Sequence, residues 1–117
     1  MDRFEIPGAF ELSLSDRVLW VSSVQPNRVT LVDLDGTTIG SIELPDQPGD
    51  IDSTSTTAWI AFPRSGQIGA VDQETLALEL YDVGVNPSSL VADDDAIWVQ
   101  AILWLATLHR AARGADV

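Results

Sequence analysis

The chain has 117 residues, enough for one small domain, and its 45% hydrophobic and 21% charged residues give a globular rather than a disordered balance. A formal net charge of −12 and a pI of about 4.1 make phosphate backbones and anionic lipids unfavourable partners, so we expect no nucleic-acid and no membrane partner. The absence of cysteine excludes disulfides, thiolate metal sites and cysteine nucleophiles.

The amino-terminal segment, MDRFEIPGAFELS, has no basic stretch followed by an apolar one, so it does not predict a signal peptide. The longest apolar run, Ala101–Ala106, is too short to cross a bilayer. As written, the sequence predicts a soluble, cytoplasmic protein. That expectation does not apply if the chain is a piece of a longer protein.

Short predicted strands separated by turn residues begin near Phe10. The first unit, Phe10–Leu44, contains VLWVSSV, RVTLVDL and TTIGSIEL, separated by the turns QPN and DG. The second unit, Gly49–Val83, contains AWIAFP, QIGAVDQ and LALELYDV, separated by RSG and ET. The segments GDIDSTST and SSLVADDD each add one strand ahead of a tryptophan-containing strand, which gives four strands in about 39 residues. A third unit begins at Ser88 and supplies two strands that end near Gln100.

These units repeat with a fixed spacing. Three apolar–Trp–apolar triplets place Trp20, Trp59 and Trp98 at intervals of 39 residues. The same offset relates Asp33 to Asp72, Pro48 to Pro87, Val29 to Ile68, and Leu12 to Ile51 and Leu90. Because tryptophan is rare, two identical intervals supported by these other positions indicate an internal repeat.

A repeat of about 40 residues with four antiparallel strands predicts a blade of a β-propeller. The tryptophan strand is the apolar one, so we expect it to lie centrally in its blade and to pack its ring against the next blade. The last strand of the second unit, ALELYDV, alternates apolar and polar residues, which suits an outer strand with one wet face. The predicted fold class is therefore all-β, a partial β-propeller.

The order of features in each unit resembles the YVTN/streptogramin-lyase-like propeller repeats, whose relatives include NHL-type and quinoprotein-like propellers. The order is an IWV-type strand, a short turn, an IGAVDQET-type segment, an outer strand and a GVNPSSL-type connection. The resemblance covers Phe10 to Gln100. It does not extend to WD40 repeats, because no Gly-His and Trp-Asp pair recurs in each unit. Streptogramin lyases in the resembling group depend on a metal and use histidine in the propeller. The repeat region here has no histidine, which argues against lyase activity for this chain alone.

Two four-stranded antiparallel blades plus half of a third cannot close a ring, since a propeller needs about four to eight blades. Apolar blade faces and strand edges would remain bare. Three explanations stay open: the chain is a fragment of a longer product, subunits complete the ring in an oligomer, or the tail caps the open face. The sequence therefore predicts that residues 1–100 form the blades and that residues 101–117 form a helical tail or an aberrant carboxyl terminus.

The tail interrupts the repeat within a blade, where the third strand of the third unit is due. Its spacing predicts a short C-terminal α-helix that ends at Gly114. The apolar stripe of that helix contains Ile102, Leu105, Leu108 and Ala112, and an adjacent stripe contains His109 and Arg113. Trp104, which is out of the 39-residue register, is expected to mark an interface or to cover an open blade.

Clustered carboxylates are the first candidate ligands. Asp93–Asp95 form a dense acidic run that would suit Ca²⁺, but the run lacks the spacing and the downstream Glu of a Ca²⁺ loop, so we interpret it as a polar turn. In DLDG, Asp35 and Gly36 form a strong hairpin signal. Asp33 and Asp72 recur at one repeat position, and we expect them to accept backbone hydrogen bonds at turns.

No catalytic group is predicted. His109 is the only histidine, and it lies beyond the repeats. The serines, among them Ser53, Ser55, Ser88 and Ser89, belong to no GxSxG motif, and DLDGTTIGS lacks the lysine of a phosphate loop. We therefore assign no catalytic, cofactor-binding or metal-binding residue and expect no cofactor.

These features favour a non-enzymatic β-propeller repeat domain that acts as a binding or assembly scaffold and is a fragment of a larger propeller. Its expected partner is a protein, or a second copy that associates through the open blade faces. The alternative is the structural portion of a streptogramin-lyase-like or quinoprotein-like enzyme whose active residues lie outside this chain.

Overall fold

The computed structural model describes residues 9–15, 18–84, 86–93, 96–101 and 108–112, which form eleven strands in three antiparallel sheets. Sheet 1 contains β1 (Ala9–Ser15), β2 (Val18–Ser23), β3 (Arg28–Asp33) and β4 (Thr38–Glu43). Sheet 2 contains β5 (Ile51–Ser53), β6 (Thr57–Phe62), β7 (Gln67–Asp72) and β8 (Leu78–Asp82). Sheet 3 contains β9 (Pro87–Ala92), β10 (Ala96–Ala101) and β11 (Leu108–Ala112).

Sheets 1 and 2 confirm the two predicted four-stranded units. In each sheet the strands lie side by side in chain order, and every neighbouring pair is antiparallel. The register repeats as well: Trp20 is paired with Leu31 in sheet 1, and Trp59 is paired with Ala70 in sheet 2, 39 residues later for both partners. The sequence repeat is thus also a structural repeat.

Turn chemistry ends the strands where the sequence predicts. Between β3 and β4, the amide of Gly36 donates to the Asp33 carbonyl at 2.9 Å, and Gly36 has a φ of +93°, which glycine adopts without a Cβ clash. Asp33 Oδ1 accepts from the amide of Leu34, and Asp72 Oδ1 accepts from the amide of Glu74 at 2.9 Å. The prediction that the two repeated aspartates accept backbone hydrogen bonds at turns is confirmed.

Two apolar clusters hold the sheets together. The cluster between sheets 1 and 2 includes Trp20, Val29 and Leu31 from sheet 1 with Ile51, Ile60, Phe62 and Val71 from sheet 2. The cluster between sheets 2 and 3 includes Trp59, Ala61 and Ile68 from sheet 2 with Leu90, Ile97 and Val99 from sheet 3. The rings of Trp20 and Trp59 therefore pack toward the following sheet, as predicted for the tryptophan strand of a blade.

The first strands of the three sheets lie next to one another. β1 contacts β5, and β5 contacts β9. Ser13 Oγ of β1 lies 2.6 Å from Ser53 Oγ of β5, and the Ser15 hydroxyl donates to the Thr54 carbonyl. Successive sheets that meet along their first strands and pack face to face are consistent with neighbouring blades of a partial β-propeller.

Sheet 3 corrects two predictions. It has three strands rather than two, because β11 pairs with β10 from Ala96 to Gln100. The predicted helix is wrong for Leu108–Ala112, which form this strand: the edge of β10 carries backbone N–H and C=O groups that another strand satisfies, and this outweighs the helical spacing. The remaining tail residues, Ile102, Trp104, Leu105, Arg113 and Gly114, lie outside the described residues.

Strand β11 occupies the third-strand position with its register shifted by one residue. The connection between β10 and β11 spans six residues, 102–107, whereas the connections 24–27 and 63–66 in the other sheets span four. Trp98 is consequently paired with Arg110, where a strict repeat would give His109. Nowhere in the described ranges is there a helix of the length and apolarity needed to cross a membrane.

Candidate functional site

One face of sheet 3 exposes apolar side chains. Val91 on β9 and Trp98 on β10 are neighbours in register, and 62% and 41% of their surfaces are exposed. Alternation along the strands places Ser89 and Gln100 on the same face, where Ser89 Oγ lies 3.0 Å from Gln100 Oε1. We call these four residues the Trp98 face.

The residues at the position of Trp98 in the other two sheets are buried at interfaces between sheets. Trp20 and Trp59 occupy the position of Trp98, and their exposed fractions are 0% and 2% because a following sheet packs on them. The described part of the chain places no sheet after sheet 3. The exposed fraction of Trp98 is therefore much larger than that of its repeat equivalents in the other two sheets.

The opposite end of the stack has a matching feature on sheet 1. Leu12 is 60% exposed, whereas its repeat equivalents Ile51 and Leu90 are buried against the preceding sheet. Leu14 is exposed on the same face, and Val21, which is paired with Leu12 in register, is buried. The exposed part of this face thus lies along β1, and we call Leu12 and Leu14 the Leu12 face.

Two aspartates connect sheet 2 to sheet 3 at the first strands. Asp50 Oδ2 accepts from the Leu90 amide at 2.9 Å, and Asp52 Oδ2 accepts from the Ala92 amide at 2.8 Å. Both amides belong to β9, which is the end strand of its sheet, so the carboxylates satisfy donors that the strand ladder leaves out. The sequence pattern offered one signal for this pair: the two-residue spacing in GDID, which places both side chains on one face of a strand.

The predicted acidic cluster forms a turn as far as the structure describes it. The Asp93 amide donates to the Ala96 carbonyl at 3.0 Å, and the Ala96 amide donates to Asp93 Oδ1 at 2.8 Å. Asp94 and Asp95 lie outside the described residues. Among the described side chains, no group of three or more His, Cys, Asp or Glu residues is placed to hold a metal ion.

Two aspartates in turns or bends have lowered pKa values. A side-chain hydrogen bond with Thr37, followed by the Thr37 amide, holds the pKa of Asp35 below its ordinary value. The Ser65 hydroxyl, followed by the Gln47 amide, does the same for the pKa of Asp46. Both shifts come mainly from hydrogen bonds that favour the charged form, so they do not indicate a buried catalytic carboxylate.

The candidate serines and the histidine are distributed over sheets 2 and 3. Ser53 contacts Ser13 across the first strands, and Ser55 is an exposed turn residue. The Ser88 hydroxyl donates to the Gln100 carbonyl at 3.2 Å. His109 lies on β11, in register with Val99. The described contacts of Ser53 and Ser88 are hydrogen bonds between strands and explain these residues structurally.

A cavity of about 150 Å³ opens beside Trp59. Glu79 and Tyr81 contribute to its lining, the Tyr81 ring lies 5.9 Å from the Trp59 ring, and the buried Trp59 Nε1 has no hydrogen-bond partner among the described residues. The repeat equivalent of Glu79 in sheet 1 is Gly40, and the corresponding space beside Gly40 is filled by Leu76. A Cβ atom added at Gly40 would lie only 2.6 Å from Leu76 Cδ1. The cavity thus marks a space that a following sheet fills at the first interface.

The comparisons with known proteins find similar structures only. No protein-family model matches the chain, and no curated protein matches it. A chain of the "Crystal structure of Nidogen/Laminin Complex" matches with a TM-score of 0.77 and 17% identity, over 97% of this chain and 48% of that chain. The structure "KlHsv2 with loop 6CD replaced by a Gly-Ser linker" matches with a TM-score of 0.62 and 13% identity, over 89% of this chain and 39% of that chain.

These likenesses show the fold alone, because both identities are low. They do not confirm the resemblance to the YVTN/streptogramin-lyase-like repeats. The chain spans about half or less of the two solved chains, 48% and 39% of their lengths. The chain therefore has a β-propeller-like fold and corresponds to part of these longer chains.

Proposed function

We propose that this chain is a segment of a β-propeller that acts as a non-enzymatic scaffold for protein binding and assembly. The Trp98 face carries this proposal, because the equivalent faces of sheets 1 and 2 form buried interfaces, whereas Val91 on this face is 62% exposed. In a repeat protein each unit needs a neighbour to bury its apolar face. An exposed face of this type at the end of the stack favours another protein surface as its partner.

The exposure of Trp98 gives the scale of the stabilisation that a partner supplies. A tryptophan side chain buries up to about 250 Å², so an exposed fraction of 41% leaves about 100 Å² accessible. At about 25 cal/mol per Å², covering this surface contributes about 2.5 kcal/mol. A contribution of this size is typical of the aromatic residues that dominate protein interfaces.

A structural portion of a propeller enzyme is the second candidate. The chain spans 48% of the matched chain in the nidogen/laminin structure, so a propeller of that length has room for further blades that contain the active residues. The sequence on either side of this segment distinguishes the two functions. Histidine or acidic residues that break the repeat in further blades favour the enzyme, and uniform repeats favour the scaffold.

Amide hydrogen exchange of the isolated monomer tests the scaffold proposal. Apolar clusters cover sheet 2 on both faces and sheet 3 on one, so we expect amides of β9 and β10 to exchange at least about tenfold faster than those of β6 and β7. The comparison is internal to one chain, so sample-to-sample differences do not affect it. Equal protection in the two sheets would show that the Trp98 face needs no partner, and would contradict the proposal.

A further inference from the structure

We propose that Asp35 is a site of spontaneous covalent modification, at which the chain converts to isoaspartate, and that the folded turn between β3 and β4 slows this conversion. The inference goes beyond the scaffold function proposed above and does not depend on it. It rests on the residues of a single turn in sheet 1, so the sheets that pack on either side do not enter it.

Asp35 is followed by the residue that leaves the reacting nitrogen least crowded. The nucleophile in the conversion is the backbone nitrogen of the next residue, and a side chain on that residue hinders its approach. Gly36 has no Cβ atom and so removes this obstacle. Asp35–Gly36 is the one Asp-Gly step in the sequence, and Asn-Gly does not occur. Asp35 also lies exposed in a turn rather than within a strand.

The conversion needs no reagent other than water. The Gly36 nitrogen attacks Cγ of the neutral Asp35 carboxyl group, the new N–Cγ bond closes a succinimide ring, and the hydroxyl leaves with the amide proton as water. Water then adds to one of the two ring carbonyls. Breaking the N–Cγ bond restores aspartate. Breaking the bond between the nitrogen and the Asp35 main-chain carbonyl leaves the backbone running through the side chain, which is isoaspartate.

The folded turn engages both reacting groups in hydrogen bonds. The Gly36 amide donates to the Asp33 carbonyl at 2.9 Å, so its N–H points away from the Asp35 side chain. Asp35 Oδ1 accepts from the Thr37 amide at 2.9 Å, which fixes the carboxylate beyond the attacking nitrogen. Ring closure therefore requires the turn to open, and the rate in the folded chain is limited by the population of the open turn.

The charge state of Asp35 acts in the same direction. A carboxylate has no hydroxyl to lose, so the neutral carboxyl group is the reactive form. A side-chain hydrogen bond with Thr37, followed by the Thr37 amide, holds the pKa of Asp35 below its ordinary value. The folded chain therefore contains less of the reactive form than the unfolded chain at the same pH.

Isoaspartate at this position should loosen β4. The modification adds one methylene to the backbone between β3 and β4. That connection is closed by the Asp33 amide, which donates to the Thr37 carbonyl at 2.8 Å, and by the bond from Gly36 to Asp33. β4 is an end strand of sheet 1 and pairs with β3. A lengthened turn cannot keep both bonds, so we expect the amides of β4 to exchange faster after conversion.

The equivalent turn of sheet 2 provides an internal reference. Glu74 and Thr75 stand 39 residues after Asp35 and Gly36. A glutamate would have to close a larger, six-membered ring, and the branched side chain of Thr75 crowds the nitrogen that would attack. We therefore expect the peptide that contains Glu74 and Thr75 to remain unmodified while Asp35 converts.

Incubation of the full chain in heavy-oxygen water at mildly acidic pH measures the reaction. Each hydrolysis of the succinimide places one heavy oxygen atom in the Asp35 peptide, which mass spectrometry detects after digestion. Chromatography separates the isoaspartate peptide from the aspartate peptide of the same composition. We expect the chain unfolded in urea to convert at least about tenfold faster than the folded chain.

Two substitutions at Thr37 test the protection by the turn. Thr37→Pro removes the amide donor and keeps the carbonyl that Asp33 uses, and Thr37→Ala is the milder variant if proline disturbs the hairpin. Each should raise the rate in the folded chain at least about threefold. Thr38→Ala is the matched control, because Thr38 is exposed and takes no part in the hydrogen bonds of the reacting pair; the rate should stay within about twofold. Circular dichroism checks that each variant folds.

The outcomes separate the parts of the proposal. Absence of isoaspartate from the unfolded chain would overturn Asp35 as the site. Equal rates in the folded and unfolded chains, or an unchanged rate in both Thr37 variants, would overturn the protection by the turn. Unchanged exchange of the β4 amides after conversion would overturn the loosening of that strand. These measurements involve no partner, so they can fail while the scaffold function holds, and the reverse.

Discussion

The hydrogen bonds from β9 to the carboxylates of sheet 2 should contribute measurably to the stability of sheet 3. Asp50→Ala and Asp52→Ala remove the acceptors of the Leu90 and Ala92 amides, which lie 2.9 and 2.8 Å from the carboxylate oxygens. Both amides belong to the end strand of sheet 3, so no neighbouring strand of that sheet replaces the lost acceptor. We predict that each substitution loosens sheet 3 while the core of sheet 2 keeps its protection.

The magnitude follows from the kind of bond and its surroundings. A hydrogen bond to a charged group contributes about 1.5–3 kcal/mol, and partial burial of these two bonds favours the lower half of that range, about 1.5–2 kcal/mol each. Leu90 is buried and Ala92 is only half-buried, so water replaces the acceptor more easily at Ala92. Asp50→Ala should therefore cost more than Asp52→Ala. The double variant need not be additive, because the two sites are neighbours.

Urea unfolding followed by tryptophan fluorescence gives the free energy of unfolding of each variant. Asp82→Ala is the control, since Asp82 is an exposed aspartate of the same sheet whose Oδ1 accepts from Gln67 Nε2 at 3.2 Å; its cost should stay within about 0.5 kcal/mol. Hydrogen exchange then locates the loss, which should appear at the amides of β9. Asp50→Asn keeps an acceptor oxygen without the charge and should recover part of the stability.

The reasoning is refuted if Asp50→Ala unfolds with the same free energy as Asp82→Ala. It is refuted equally if exchange rises evenly across sheets 2 and 3, because the carboxylates would then support the fold in general rather than the attachment of β9.

Three further predictions concern the interior and one turn. Gly69→Ala should lower the free energy of unfolding in urea by about 1–3 kcal/mol, because a Cβ there would lie 2.8 Å from Phe62 and 2.9 Å from Leu78. Phe62→Ala should cost about 3–5 kcal/mol in the same measurement, since the side chain is fully buried. The pKa of Asp46 is lowered in the folded state, chiefly by a hydrogen bond from Ser65. The ionised carboxylate therefore stabilises the fold at pH values above the pKa that Asp46 has in the unfolded chain, and this contribution is lost as the pH falls through the folded-state pKa. Ser65→Ala should therefore reduce the fall in Tm at acidic pH, and an unchanged Tm profile would contradict this assignment.

The two complete sheets could be predicted because their signals are local. Strand alternation and turn residues are properties of short segments, and the spacing of Trp20 and Trp59 then relates one unit to the next. The tail could not be predicted in this way. Leu108 and Ala112 have helical spacing, but the edge of β10 determines their conformation, and no window of local sequence contains that edge.

The Trp98 face could be predicted only in part, because the local sequence pattern gives the position of a residue in its blade but not its neighbours in space. The position of Trp98 in its blade follows from the repeat, but its exposure depends on which sheet comes next. The bonds of Asp50 and Asp52 join residues 40 positions apart, so a pattern within one unit could not show them. The non-enzymatic role, the absence of a cofactor and the cytoplasmic location stay predictions.

The cavity beside Trp59 and the exposed Trp98 face require different occupants. At the interface between sheets 1 and 2, Leu76 fills the space beside Gly40 of sheet 1. Leu76 lies in the connection between β7 and β8 of sheet 2, so the connection from the third to the fourth strand of a sheet fills the space on the preceding sheet. The equivalent position in sheet 3 is 115, which lies outside the described residues. Trp98 lies on the other side of sheet 3 from this cavity, because successive sheets pack on opposite faces. A partner that covers the Trp98 face would therefore leave the surroundings of Trp59 unchanged.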